Sequence, residues 1–119
     1  MKNLKDDFTS TDIVYFKIDD REFGYQPMSS GDELELLSYE GDQAVINIIE
    51  RLKRISVAPY TKDQIKASIG LDKDYSELSH DERAVLFKKL RGKLVSRIVA
   101  EIKNIEQGDE EDLKNSSLP

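Results

Sequence analysis

The spacing of apolar residues changes period once along the chain, from steps of two before residue 28 to steps of three and four after it. Ile13-Val14-Tyr15-Phe16-Lys17-Ile18 is rich in β-branched and aromatic residues, with Val14, Phe16 and Ile18 on one face of a strand. Asp19-Asp20-Arg21 supplies turn chemistry. Glu22-Phe23-Gly24-Tyr25-Gln26 then resumes the alternation with Phe23 and Tyr25 sharing a face, and Pro27 ends the ladder by removing a donor. The pattern predicts a β-hairpin over residues 13–28. A two-stranded ribbon is marginal alone in water, so its apolar face must lie on helices or join strands from another chain.

The helical part is punctuated by capping boxes, in which a serine or threonine and an acid or amide three residues on satisfy each other's backbone donors. Ser30-Gly31-Asp32-Glu33 opens a short helix through Leu34 and Leu37, although Glu33-Leu34-Glu35-Leu36 also alternates like a strand. Gly41 fits the residue after that helix, and Asp42 fits the N-cap of the next. Across residues 43–57, Val45, Ile48, Ile49, Leu52 and Ile55 form an amphipathic stripe, with Arg51, Lys53 and Arg54 in the last turns and Pro59 as the stop. Thr61-Lys62-Asp63-Gln64 opens a short helix carrying Ile65 and Ile69, which Gly70 terminates, and a loop follows over residues 72–75.

Ser79-His80-Asp81-Glu82 opens the longest periodic segment. Phe87, Leu90, Leu94, Ile98, Ile102 and Ile105 share one face of a continuous helix, which Val85, Val95 and Val99 widen. Gly92 costs about 1 kcal/mol relative to alanine there. It marks a kink or a close helix contact, with a break into two helices as the lesser reading. The expected fold class is α+β: an N-terminal β-hairpin packed on a bundle of three to four helices. Residues 11–106 form the single domain, residues 1–10 a flexible arm and residues 107–119 a disordered acidic tail.

A chain of 119 residues with 38% apolar content supports one modest core. With no cysteine, disulfides and zinc-thiolate sites are excluded. No apolar run reaches the roughly 18 residues that a membrane span needs, and residues 1–10 are too polar for a signal peptide, so the expected location is the cytoplasm. The formal charge is −6, of which Glu106, Asp109, Glu110, Glu111 and Asp112 against Lys114 contribute −4. This acidity works against general binding to a phosphate backbone, and nucleic acid is disfavoured as a partner.

Candidate chemistry is sparse. His80 is the only histidine, and its neighbours Asp81 and Glu82 project to other faces and serve the helix dipole. Asp19, Asp20 and Glu22 lack the spacing of a cation loop. No glycine-rich phosphate loop, nucleophile elbow or histidine pair exists, so neither an enzyme activity nor a cofactor or metal is expected. Lys89, Lys93 and Arg97 stand four apart with Lys88 and Arg91 nearby, a basic strip for phosphates or an acidic surface that the acidic tail could cover. The apolar faces around Ile49 and Leu52 and around Ile98 and Ile102 are the candidate protein contacts, shared with an intramolecular core.

The run Phe16-Lys17-Ile18-Asp19-Asp20-Arg21-Glu22-Phe23-Gly24-Tyr25-Gln26-Pro27, followed by Ser30-Gly31-Asp32-Glu33-Leu34, resembles the start of small tailed-phage tail assembly chaperones. There a short hairpin precedes a helical body, and the segments from Tyr60 to Ile65 and from Leu78 to Arg83, with the acidic end, are similar in order and size. Asp20 stands where that family more typically has glycine. The resemblance implies a non-enzymatic assembly protein of virion morphogenesis, binding a tail-tube or tape-measure-like protein in the host cytoplasm. The alternatives are a nucleic-acid-associated regulator using the basic strip, and a structural virion subunit that self-assembles through its hairpin edge.

Overall fold

The computed structural model of the chain describes residues 13–117, with side chains described as far as residue 107. The expectations for residues 1–10 and for the acidic side chains beyond 107 lie outside the described residues. Strands β1 (Val14–Ile18) and β2 (Arg21–Tyr25) form the expected hairpin, in antiparallel register with Phe16 opposite Phe23. Its turn is only two residues long. Asp19 and Asp20 have φ of 50° and 68°, the left-handed pair of a type I′ turn, whose twist matches that of the flanking strands. Arg21 therefore belongs to the strand and not to the turn.

A third strand corrects the reading of residues 43–57 as one helix. Helix α2 (Gln43–Lys53) stops at Lys53, and β3 (Ile55–Val57) pairs antiparallel with β2, giving the order β1-β2-β3. The second edge of β2 carries backbone donors and acceptors that need partners once it is covered, and the β-branched pair Ile55 and Val57 suits a pleated surface. Gln26 N–H also donates to Arg54 O at 3.0 Å. The register shifts between Gly24 and Tyr25, a bulge at a glycine. A Cβ on Gly24 would lie 2.6 Å from Ile13 Cγ2 and 2.9 Å from Val57 Cβ.

The remaining elements are α1 (Ser30–Leu36), α3 (Lys62–Ile69), a 3-10 turn (Tyr75–Glu77), α4 (His80–Lys88) and α5 (Gly92–Ser117). The first capping box is Ser29 with Asp32, one residue earlier than expected, and the leucine that α1 buries is Leu36, not Leu34 or Leu37. Gly41 is a loop residue with φ of 125°, several residues beyond that helix. The Asp42 cap, the Thr61 and Ser79 boxes and the left-handed Gly70 terminator stand where the sequence placed them. The continuous helix over residues 79–105 is corrected to two, α4 and α5, with the break at residues 89–91. Gly92 starts α5, and no atom lies within 4 Å of a Cβ built on it, so it is not a close helix contact. The α5 backbone continues as helix to Ser117, past the last apolar position of its stripe at Ile105.

One cluster of buried side chains joins sheet and helices. Phe16, Ile18, Phe23 and Tyr25 from the hairpin and Ile55 from β3 meet Leu52, Ile65, Leu86, Phe87, Ile98 and Ile102 from the helices. The fold is α+β, as expected. Phe16 stacks on Phe23 with centroids 5.5 Å apart, and Tyr60 meets Phe23 edge-on at 6.3 Å. Tyr75, read from sequence as part of a loop, is buried against Phe87, and its hydroxyl donates to Ile55 O. Val85, expected to widen the apolar face, is exposed, and Ala84 and Leu86 are buried in its place.

Two substitutions test the sheet. Gly24→Val (G24V) forces apart Ile13 and Val57 and is expected to cost about 1–3 kcal/mol, the range for overpacking, read from the urea midpoint at constant slope. Asp20→Gly (D20G) removes a Cβ from a left-handed position and is expected to stabilise on the order of 1 kcal/mol; a lowered midpoint would contradict the turn geometry.

Candidate functional site

Packing on a three-stranded sheet leaves part of the helical apolar surface without cover. In α2 the amphipathic stripe divides: Leu52 is buried in the core and Ile49 half-buried, whereas Val45 is 50% and Ile48 39% exposed. On α1 and its C-cap, Leu34 is 67% and Leu37 71% exposed. Ile48, Leu34 and Leu37 border two adjoining depressions. One, of about 480 Å³, runs between α1 and α2 past Leu34, Leu36 and Leu37. The other, of about 330 Å³, lies between α2 and α5, with Ala44 and Ile48 on one side and Val99 and Ile102 on the other.

Asn47 and Arg51 border both depressions and form the ridge between them. Arg51 is held there by two other helices at once. Its Nε donates to both carboxylate oxygens of Glu106 at 2.9 and 3.2 Å, its Nη2 donates to Glu33 Oε1 at 3.2 Å, and Glu106 also accepts from the Tyr25 hydroxyl at 2.8 Å. Burial, and then the hydrogen bond to the Glu106 carboxylate, raise the Tyr25 pKa, because a phenolate there would lose water and face an anion. The floor of the apolar surface is thus fixed by a polar thread from β2 through α5 and α2 to α1.

The candidate contacts from sequence separate accordingly. Leu52 and Ile98 are core, Ile102 is core that also reaches the wall of the α2–α5 depression, and Ile49 lies in neither groove. Leu34, Leu37 and Ile48 take the exposed positions. Spacing of three and four identifies an apolar stripe but does not say how much of it a partner element will cover. The other three candidates, Lys89, Lys93 and Arg97, do come together around a third depression, joined by Arg21 and Arg91. Arg21 shares the period-two face of Phe23 and Tyr25, and that alternation carried one step back was its signal. Arg97 forms a bidentate pair with Asp19, Nη1 to Oδ2 at 2.7 Å and Nη2 to Oδ1 at 3.3 Å, and this donation lowers the Asp19 pKa.

The helical backbone of α5 carries residues 109–112 about 25 Å from its first turn at 1.5 Å per residue. Among the described residues no group of three His, Cys, Asp or Glu side chains is arranged to hold a metal, and no helix is long and apolar enough to cross a membrane. Comparison with known proteins finds no matching family model, no similar curated protein and no similar solved structure.

His80 occupies the first turn of α4. Partial burial, then the cations Arg54, Arg83 and Lys53, hold its pKa below the ordinary value, against a weaker opposing effect of Glu50. The unfolded chain therefore takes up a proton below about pH 6.5 that the folded chain resists, so stability falls as pH drops through the window beneath that value. His80→Gln (H80Q) is expected to flatten this part of a plot of urea midpoint against pH. It leaves a second loss below about pH 4.5, where the capping carboxylates Asp32 and Glu82, held low chiefly by the backbone N–H groups of Ser29 and Ser79, protonate.

Proposed function

We propose that this chain is a non-enzymatic binding and assembly protein that holds an amphipathic segment of another protein along its α1–α2–α5 face. The carrying observation is the exposure of Leu34 and Leu37 beside two apolar depressions that share one rigid polar ridge. An amphipathic helix lays apolar anchors at intervals of three and four into such a surface, and Arg51, Asn47 and Lys103 offer polar partners at its rim. The net charge of −6 keeps a complex with an aggregation-prone segment dispersed.

Together with the resemblance of residues 16–34 to tail assembly chaperones, these features support a role in the host cytoplasm. There the chain would bind a tail-tube or tape-measure-like protein before assembly and delay its polymerisation. A second reading, a structural subunit that adds its sheet edge to a neighbour, is favoured by one observation. The outer edge of β1, where Tyr15 is exposed, has no strand partner among the described residues.

Substitution of exposed leucines separates these readings. Leu34→Asp with Leu37→Asp (L34D/L37D) is expected to change stability by no more than about 0.5 kcal/mol each, because both side chains are already in water. The same pair should abolish stoichiometric suppression of tail-tube aggregation, followed by light scattering. Full suppression by the double variant would refute the α1–α2–α5 face as the binding surface.

A further inference from the structure

The basic depression differs in kind from the apolar pair. Five of the residues around it are cations brought from three segments: Arg21 at the start of β2, Lys89 and Arg91 in the link between α4 and α5, and Lys93 and Arg97 in the first turns of α5. No acid lines it, and the first turn of α5 contains none. Half-buried Leu90 and Leu94 and the ring of Tyr60 complete the wall.

Elsewhere the cations are mixed, with Lys17, Lys66, Arg83, Lys88 and Lys103 outside any ion pair among the described residues and scattered apart from the depression. Arg51, Lys53, Arg54, Lys62 and Lys73 each pair with a carboxylate, whereas Arg21, Lys89, Arg91 and Lys93 have no ion pair among the described residues. Arg97 is the exception within the groove, where it pairs with Asp19 of the hairpin turn. Four uncommitted cations within one concave wall repel one another, an arrangement that a bound anion relieves. The start of a long helix adds its positive dipole end to the same spot.

We infer that this depression is a binding site for compact oligophosphate groups. Its volume of about 590 Å³ falls within the range of small-molecule sites. Its four uncommitted cations match the roughly four negative charges of a triphosphate, and the arginines supply the planar forks that phosphate oxygens accept in pairs. A long polyanion is a poorer fit, because it must run on over a surface whose overall charge is negative. The inference is independent of the proposed function, since the basic depression shares no lining residue with the apolar ones.

The experiment is calorimetric titration of the full chain with inorganic tripolyphosphate, ATP and a single-stranded oligothymidylate, at ionic strengths of about 0.02 M and 0.15 M. Tripolyphosphate is expected to bind one to one and more tightly at low salt. Arg21→Glu (R21E) and Lys89→Glu with Lys93→Glu (K89E/K93E) should each weaken it at least about tenfold. Lys66→Glu on α3, outside the depression, should leave it unchanged, with circular dichroism checking that all variants fold. ATP binding tighter than tripolyphosphate assigns a nucleotide as the source of the phosphates, and equal binding assigns phosphate alone. The inference is overturned by absence of saturable tripolyphosphate binding at low salt, by equal weakening in K66E, or by oligonucleotide affinity that exceeds both and grows with length.

Discussion

Tyr25 sits on the central strand with its ring wholly covered, and a covered phenol must place its hydroxyl on a partner. That partner is Glu106 of α5, and a carboxylate drawn against the core in turn demands a cation, which Arg51 of α2 supplies while reaching Glu33 near the start of α1. One buried hydroxyl therefore sets where three helices stand relative to the sheet. The aromatic and aliphatic contacts around Phe23 provide most of the burial, but they are non-directional and would tolerate several arrangements. The hydrogen bonds select one of them. The ridge dividing the apolar depressions is made of the same Arg51, so the shape of the candidate surface follows from how Tyr25 is satisfied.

Local chemistry was legible in the sequence where a few adjacent residues decide the outcome. The hairpin turn between Ile18 and Arg21, the Asp42 cap, the Thr61 and Ser79 boxes and the Gly70 terminator all rest on interactions within four residues. The apolar face of Phe87, Ile98 and Ile102 also survived the break between α4 and α5, because both helices meet the same core. What was not legible depends on distant partners. Ile55 continues the period of α2 as well as it suits a strand, and only the unpaired edge of β2 decides between the two. Gly24, an isolated glycine within a strand pattern, was the available sign that another backbone approaches there. Tyr75 in a polar link gave no comparable sign.

The candidate sites divide along the same line. Lys89, Lys93 and Arg97 were visible as a strip because they are four apart, yet their closure into a concave site needs Arg21, which only the sheet topology brings against α5. Leu34 and Leu37 were read only as positions along a short helix, and their exposure reflects how little of α1 its neighbours cover: a seven-residue helix docks through Leu36. A single helix serves both surfaces, since α5 lends its first turns to the basic depression and Val99, Ile102 and Lys103 to an apolar one.

The order of elements also bears on how the chain acquires this structure as it is made. All three strands are complete by Val57, but the helix that places Ile98 and Ile102 against them and brings Glu106 to Tyr25 follows much later in the chain. A nascent chain paused before α5 would display Phe16, Phe23 and Tyr25 on an unfinished sheet, with the Tyr25 hydroxyl still bound to water. Closure of the core consequently waits on α5, and slow translation of the segment between Val57 and Gly92 would prolong the interval in which that aromatic face is open to other chains.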